Sequence, residues 1–500
     1  MTHSLTQRIH HAFVTHAQRP CLRVPGADDW TYGELSQLSA QFAGVLRELG
    51  VASGDRLLVQ VDKSPQAVAL YLACLRTGAT YVPINTAYTS AEVEYFLGDA
   101  QPRLFVCRPP DEAGLKVIAG GVAMLTLGTV GDGSLMVRAM GVEACMDVAS
   151  PGASDIAAIV YTSGTTGRAK GAMLTQENLL SNALTLLDYW GWQDDDVLLH
   201  ALPIFHVHGL FVALHCAFLS GTPMLFLPGF NADRVLESLP DATVMMGVPT
   251  FYTRLLDHAG FRMEACRNMR LFISGSAPLT EQTFRAWEDR TGLKILERYG
   301  MSETAMIASN PLSGERVAGT VGFALPGVEV RIADEDGQSL PPEAVGIIEV
   351  RGPNVFKGYW QMPEKSAEAF REDGFFITGD MGRMDSQGRI AIVGRAKDLV
   401  ISGGYNVYPK EVENLIDEIP GVVESAVIGV PHPDFGEGVV AVVVPRAKEV
   451  SEADVATALD GKLARFKQPK RVINVAELPR NTMGKVQKNE LRGRYEGLFT

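Results

Sequence analysis

Apolar residues along the chain fall into short runs separated by helical stripes, and this alternation predicts a layered α/β protein. Thr31-Tyr-Gly-Glu34 has the form of a capping box. It opens a helix whose apolar positions Leu35, Leu38, Phe42, Val45, Leu46 and Leu49 recur at helical spacing, and Gly50 closes it. A strand from Leu57 to Val61 follows, then a helix through Ala67 to Leu75 that stops near Gly78. The alternation implies a mainly parallel sheet with helices on its faces. Ile156 to Val160, Met224 to Leu227, Ala242 to Met246 and Leu271 to Ile273 read as further buried strands. Between about Thr320 and Gly394 the texture changes to short strands punctuated by Gly, Pro and Asp-Gly turns, such as Val328 to Ile332 and Ile347 to Val350. That stretch reads as a β-barrel-like subdomain. From Asp398 the pattern is mixed again, with a helix from Pro409 to Ile416, strands Glu424 to Val430 and Val439 to Val444, and a helix capped by Ser451. The expected architecture is therefore α/β: a large N-terminal domain, residues 1–397, of two α/β subdomains plus the β-rich one, and a small α+β C-terminal domain, residues 398–500.

Composition narrows the function. A chain of 500 residues with 46% hydrophobic and 21% charged residues is globular and too long for one core. Its net charge of −13 argues against a nucleic-acid partner, so any anionic ligand must be held by local, motif-placed cations. Six scattered cysteines lack metal-ligand or disulfide spacing and fit a reduced protein. The N-terminus shows no apolar signal core, and no apolar run approaches bilayer length. A cytoplasmic location without membrane association is expected.

The densest chemistry lies in Tyr161-Thr-Ser-Gly-Thr-Thr-Gly-Arg-Ala-Lys170-Gly171, directly after a predicted strand. Thr162, Ser163, Thr165 and Thr166 offer hydroxyls, while Gly164, Gly167 and Gly171 let backbone N–H groups approach an anion, and Lys170 adds charge. This is a polyphosphate loop but not a Walker A, since Ala169 precedes the lysine and Gly171 follows it. A flexible Ser/Thr/Gly surface loop is the bland alternative, and the preceding strand and Lys170 speak against it. Tyr299-Gly-Met-Ser-Glu303-Thr304 sits where strand ends place ligands in open α/β sheets. There Glu303 can hold Mg²⁺, Thr304 can bond a phosphate and Tyr299 offers a face to a base, although such a turn is equally an ordinary helix cap. Asp380 can accept ribose hydroxyls with Arg395 adding donors, against the reading of two plain β-turns. Gly403-Gly404 and Lys485, taken singly, are a turn and a solvated lysine.

Together and in this order these segments resemble the acyl-adenylate-forming superfamily, in its acyl-CoA synthetase branch, over almost the whole chain. Asn85-Thr-Ala-Tyr88-Thr, Val248-Pro-Thr-Phe-Tyr252, Leu271 to Leu279 and Asn354 to Tyr359 are most similar to malonyl-CoA synthetases. The resemblance implies ATP and CoA as co-substrates, Mg²⁺ on Glu303 and Thr165, and phosphate contacts from Thr162, Ser163, Gly164, Thr166, Gly167 and Lys170. It further implies that Ser276 and Ala277 line the adenine and acyl pockets, that Tyr299, Gly300, Met301, Ser302 and Thr304 flank the nucleotide, and that Asp380 and Arg395 bind ribose. Lys485 matches the lysine of adenylation and Asp398 the hinge of a mobile C-terminal domain. Rotation about that hinge would bring Gly403, Gly404 and Tyr405 to CoA. The turn around Lys485 also resembles the context recognised by protein acetyltransferases.

For the acid, the resemblance points to His206, Ser276 and Met306. Arg254, about one turn into a helix entered at Pro249, is expected to face the pocket, where its planar fork suits a second carboxylate. The bland alternative is a solvent-facing helix arginine. Malonate or methylmalonate is the expected acid, the alternatives being another short or substituted acid or delivery to a carrier protein. Ile307-Ala308, where related enzymes tend to carry Asn-Thr, suggests a more apolar acyl pocket.

Overall fold

The computed structural model describes residues 4–162, 169–481 and 484–499. Helices begin where capping chemistry marks them. The Tyr32–Glu48 helix is opened by Thr31, whose hydroxyl accepts the Glu34 N–H while the Glu34 carboxylate accepts the Thr31 N–H at 2.7 Å. It packs on the Pro65–Thr77 helix, which ends at Gly78 in the left-handed conformation with φ 76°.

Two mainly parallel sheets build the large N-terminal domain. A six-stranded sheet runs in the order Ala123–Thr126, Leu104–Cys107, Arg56–Gln60, Thr80–Pro83, Ile156–Thr162, Lys170–Thr175, with only its last pairing antiparallel. The nine-stranded sheet has as its parallel centre the strands Leu296–Met301, Leu271–Ser274, Val244–Gly247, Leu198–His200 and Met224–Phe226. Helices cover the sheet faces, so these strands read as continuous apolar runs rather than alternating ones. The β-rich region is a four-stranded antiparallel meander, Glu329–Ala333, Gly346–Arg351, Phe376–Met384 and Ile390–Arg395, whose first and last strands are not paired with each other.

The C-terminal domain is built on the antiparallel pair Val422–His432 and Gly436–Pro445. The short strands Val400–Ser402 and Tyr405–Val407 extend it on one side, and Arg471–Asn474 adds a parallel strand. The Pro409–Asp417 helix covers one face with Val412 and Ile416, while the Lys488–Tyr495 helix packs Leu491 against the other. All six cysteines are free and buried, and among the described residues no helix is long and apolar enough to cross a membrane.

Candidate active site

Strand ends of both parallel sheets converge on one cavity of about 840 Å³, which the C-terminal domain closes. Thr162 ends a strand of the six-stranded sheet, and Met301, Ser276 and His206 lie at or just beyond strand ends of the nine-stranded sheet, where α/β folds place ligands. Of the residues expected in the phosphate loop, Ser163, Gly164, Thr165, Thr166 and Gly167 lie outside the described residues. Thr162 and Lys170 flank that loop and line the cavity.

At this end Lys170 lies 4.7 Å over the ring of Tyr359, whose hydroxyl donates to Glu303 Oε1 at 3.1 Å. Glu303 is buried at the cavity wall, and burial raises its pKa against the opposing pull of the Tyr359 hydroxyl, Arg395 and Lys485. A buried carboxylate with one hydroxyl partner, aimed into a polar cavity, suits a hard cation such as Mg²⁺. Among the described residues no cluster of three or more His, Cys, Asp or Glu forms a complete protein metal site, so phosphate oxygens would have to complete the coordination.

Elsewhere on the cavity wall stand two histidines, a serine and an arginine. His206 lines the cavity with Nδ1 accepting the His208 backbone N–H at 3.2 Å, which leaves Nε2 protonated. Burial, then the nearby charges of Lys485 and Arg298, push its pKa down to about 3. His208 is buried with Nδ1 3.3 Å from Ser276 Oγ, and its Nε2 has no partner. Ser276 is held at φ 70°, a left-handed conformation unusual for serine that turns its side chain toward this histidine.

Arg298, which the motif reading passed over, completes this group. It sits within the Leu296–Met301 strand, buried at the cavity wall, with Nε and Nη2 unpartnered. Burial lowers its pKa to about 9, and no carboxylate offsets that burial. A Cβ at Gly275 would lie 2.5 Å from Arg298 Cζ, so only glycine lets the guanidinium cross there. The available signal was a Glu297-Arg298 pair inside an otherwise apolar strand.

Several expected residues stand elsewhere. Arg254 is exposed on the Pro249–Asp257 helix and does not line the cavity. That helix buries Phe251, Tyr252 and Leu255, and position 254 lies roughly 100° around the axis from their mean direction. Tyr299 does not present a face to the cavity: it is buried beneath it, donating to Asp380 Oδ2 at 2.5 Å. Arg395 Nε meets Asp380 Oδ1 at 2.7 Å, so the cavity wall there is formed by Thr378, Gly379 and Arg395 while Asp380 stands behind. Thr304 is buried, its hydroxyl donating to the Ala305 carbonyl at 3.1 Å, and Ala277 is also off the cavity wall. Gly300, Met301, Ser302 and Met306 line it.

Ile307 and Ala308, expected to make an acyl pocket more apolar, do not line the cavity. Tyr299 pairs with Ala308 and Gly300 with Met306, so Ile307 is the extra residue of a bulge. Both residues pack with Tyr299, Val321, Ile332 and Ile348, away from the cavity.

From the C-terminal domain, Lys485 reaches the cavity beside Arg480, Asn481 and Gln487. Its side chain stays solvent-accessible within the cavity, yet enclosing protein and the charge of Arg395 lower its pKa, with Asp380 and Glu303 opposing. Asp398 Oδ1 accepts from Arg492 Nη2 at 2.5 Å, and Gly403, Gly404 and Tyr405 lie on an exposed turn outside the cavity, with Tyr405 stacked on Phe466.

Comparison with known proteins follows the same outline. The AMP-binding enzyme family matches residues 9–360, and the AMP-binding enzyme C-terminal domain matches residues 411–485. An indoleacetate–CoA ligase from Aromatoleum aromaticum is 35% identical over 477 residues, covering 93% of each chain. A malonate–CoA ligase from Arabidopsis thaliana is 36% identical, covering 93% of this chain and 81% of its own. The crystal structure of ATP-bound MatB from Rhodopseudomonas palustris superposes with a TM-score of 0.97 at 53% identity over all of both chains. The apo form of the same protein superposes at 0.86, so the arrangement seen here is nearer the ATP-bound one.

Proposed function

Because this chain belongs to the AMP-binding enzyme family, whose acyl-CoA ligases are acid–thiol ligases, we propose that it joins malonate to CoA through a malonyl-adenylate, releasing AMP and pyrophosphate. One observation carries the choice of acid. The cavity wall holds Arg298, a buried guanidinium whose Nε and Nη2 have no partner, together with His206, His208 and Ser276. An unpaired buried cation is costly unless a ligand supplies the anion, and a guanidinium fork fits a carboxylate. A monocarboxylic acid would leave it unpaired. Similarity to malonate–CoA ligases and to MatB supports the same reading, although ligases of indoleacetate and ferulate are comparably similar in sequence.

In this reading one malonate carboxylate rests on Arg298, and the His208–Ser276 pair adds one hydrogen bond, from His208 Nε2 when the Ser276 hydroxyl donates to Nδ1 or from the Ser276 hydroxyl in the other tautomer. The other carboxylate oxygen attacks the α-phosphorus of ATP; the bond to the bridging oxygen breaks and pyrophosphate leaves with its electron pair. The CoA thiol then attacks the acyl carbon, loses its proton, and AMP departs. Lys485 supplies positive charge where negative charge crowds, and Lys170 does so at the leaving pyrophosphate. His206 is neutral at physiological pH, so its Nε2–H can donate to the acid without adding a further charge beside Arg298 and Lys485. Arg395, fixed by Asp380 and Tyr299, orients the ribose side. Mg²⁺, which Glu303 with Thr165 would hold, supplies neutralisation of phosphate charge when bound. Acetylation of Lys485 would remove its charge and stop adenylation.

A CoA-dependent AMP-release assay with malonate, methylmalonate, succinate, acetate and benzoate tests the proposal. Malonate or methylmalonate should give the highest kcat/KM. Strong turnover of acetate or benzoate with none of malonate would refute it, and release to a carrier protein but not to CoA would replace the acceptor.

A further inference from the structure

Lys485 sits on a hairpin whose two feet are fastened to the C-terminal domain by ion pairs. Arg480 and Val486 face each other as an antiparallel bridge, and the Gln487 N–H donates to the Pro479 carbonyl at 2.8 Å. Within the turn the Asn481 N–H donates to the Lys485 carbonyl, and the Lys485 N–H donates to Asn481 Oδ1, each at 2.9 Å. Gly484 closes it at φ 74°. At one foot Arg480 divides its guanidinium: Nη1 donates to the Gly484 carbonyl at 2.5 Å, and Nη2 pairs with Glu424 on the Val422–His432 strand. At the other foot Lys488 Nζ meets Glu413 Oε1 at 2.5 Å, and that oxygen also accepts the Val427 N–H at 2.9 Å.

We infer that the Arg480–Glu424 pair is a positioning device that sets where Lys485 stands in the adenylation arrangement. The Gly484 carbonyl is one peptide from Lys485, so the grip of Arg480 on that carbonyl fixes the root of the lysine side chain. Glu424, which does not line the cavity, fixes Arg480 in turn. The task needs an arginine, because two acceptors lying in different directions must be met at once and a lysine ammonium on its flexible stem lacks the fork. Arg480 also lines the cavity, so the competing role is direct contact with a phosphate. The inference rests on the reading of Lys485 as the adenylation lysine, and its test separates the two.

The experiment compares wild type, Arg480→Lys, Glu424→Gln and Lys485→Ala in the two half-reactions. ATP–pyrophosphate exchange is measured with the acid that wild type uses best, and thioester formation is measured from supplied acyl-adenylate and CoA. Lys485→Ala should lose exchange. Arg480→Lys and Glu424→Gln should each lower the kcat of exchange about 10- to 100-fold, the scale of a misplaced catalytic group. The KM for ATP should stay within about twofold, and thioester formation should be preserved because it does not call on Lys485. Two results would overturn the inference. One is normal exchange in Glu424→Gln with a raised KM for ATP in Arg480→Lys, which makes Arg480 a phosphate ligand. The other is an equal fall of both half-reactions, which makes the pair merely structural. Exchange that survives in Lys485→Ala would overturn the reading of Lys485 and, with it, the positioning role of the Arg480–Glu424 pair.

Discussion

Two adjacent buried ionisable residues, Glu297 and Arg298, divide their work between the two sides of one strand. Arg298 meets the cavity, while Glu297 Oε1 accepts the Leu279 N–H at 3.1 Å and so ties down the loop that carries Ser276. Burial raises the Glu297 pKa to about 8 from an ordinary 4.5, with the Leu279 N–H and Lys410 pulling the other way, so the folded protein holds it protonated at neutral pH. As pH rises from about 4.5 the unfolded chain ionises this group and the folded chain does not, so its contribution to stability falls until about pH 8 and then levels. Glu297→Gln keeps the acceptor and removes the titration. Thermal unfolding should therefore show the variant's Tm advantage growing across that interval, whereas an advantage flat with pH would show that Glu297 is ionised in the fold. Motifs singled out Lys170, Glu303, Arg395 and Lys485, and all four line the cavity. Arg298 was not, because a charge inside an apolar run carries no spacing signal. Arg254 drew the expectation instead, because helical phase alone does not say which flank of a helix meets a pocket.

At the scale of elements, caps and glycines marked helix ends well, since Ser, Thr and Gly act through local hydrogen bonds and φ alone. Bulges and π-turns have no such local code. Of the two cavity histidines, His206 precedes and His208 opens a π-helix, His208–Ala213, a form frequent at functional sites. His200 Nε2 holds it by donating to the Gly209 carbonyl at 2.9 Å, while Lys63 Nζ donates to His200 Nδ1 at 2.8 Å and fixes that tautomer. A Cβ at Gly209 would stand 2.0 Å from the Pro203 carbonyl oxygen, so Gly209→Ala must displace the segment. Such overpacking costs about 1–3 kcal/mol. The variant should unfold at lower temperature and show a KM for the acid raised several-fold more than that for ATP. An equal rise in both would place the disturbance elsewhere than beside the acid.

For the molecule as a whole, a net charge of −13 encloses a cavity that gathers Lys170, Arg298, Arg395 and Lys485. Three of these cations come from the N-terminal domain and one from the C-terminal domain, so the cluster is complete only while the domains are arranged as seen here. The α/β alternation and the compact C-terminal unit were readable from periodicity, and the convergence of strand ends followed from the general geometry of open sheets. How the C-terminal domain seats on the large one was not readable, because it depends on contacts between residues distant in sequence, such as the Arg446–Asp257 ion pair at 3.5 Å. The central claim is that Arg298 makes this a ligase of a dicarboxylate. It is tested most directly by the ratio of kcat/KM for malonate to that for propionate, in wild type and in Arg298→Met. A site built around a buried charge should prefer malonate by at least about 100-fold, and the variant should bring the ratio close to one. A wild-type enzyme that favours propionate, or a ratio unchanged in Arg298→Met, would contradict it.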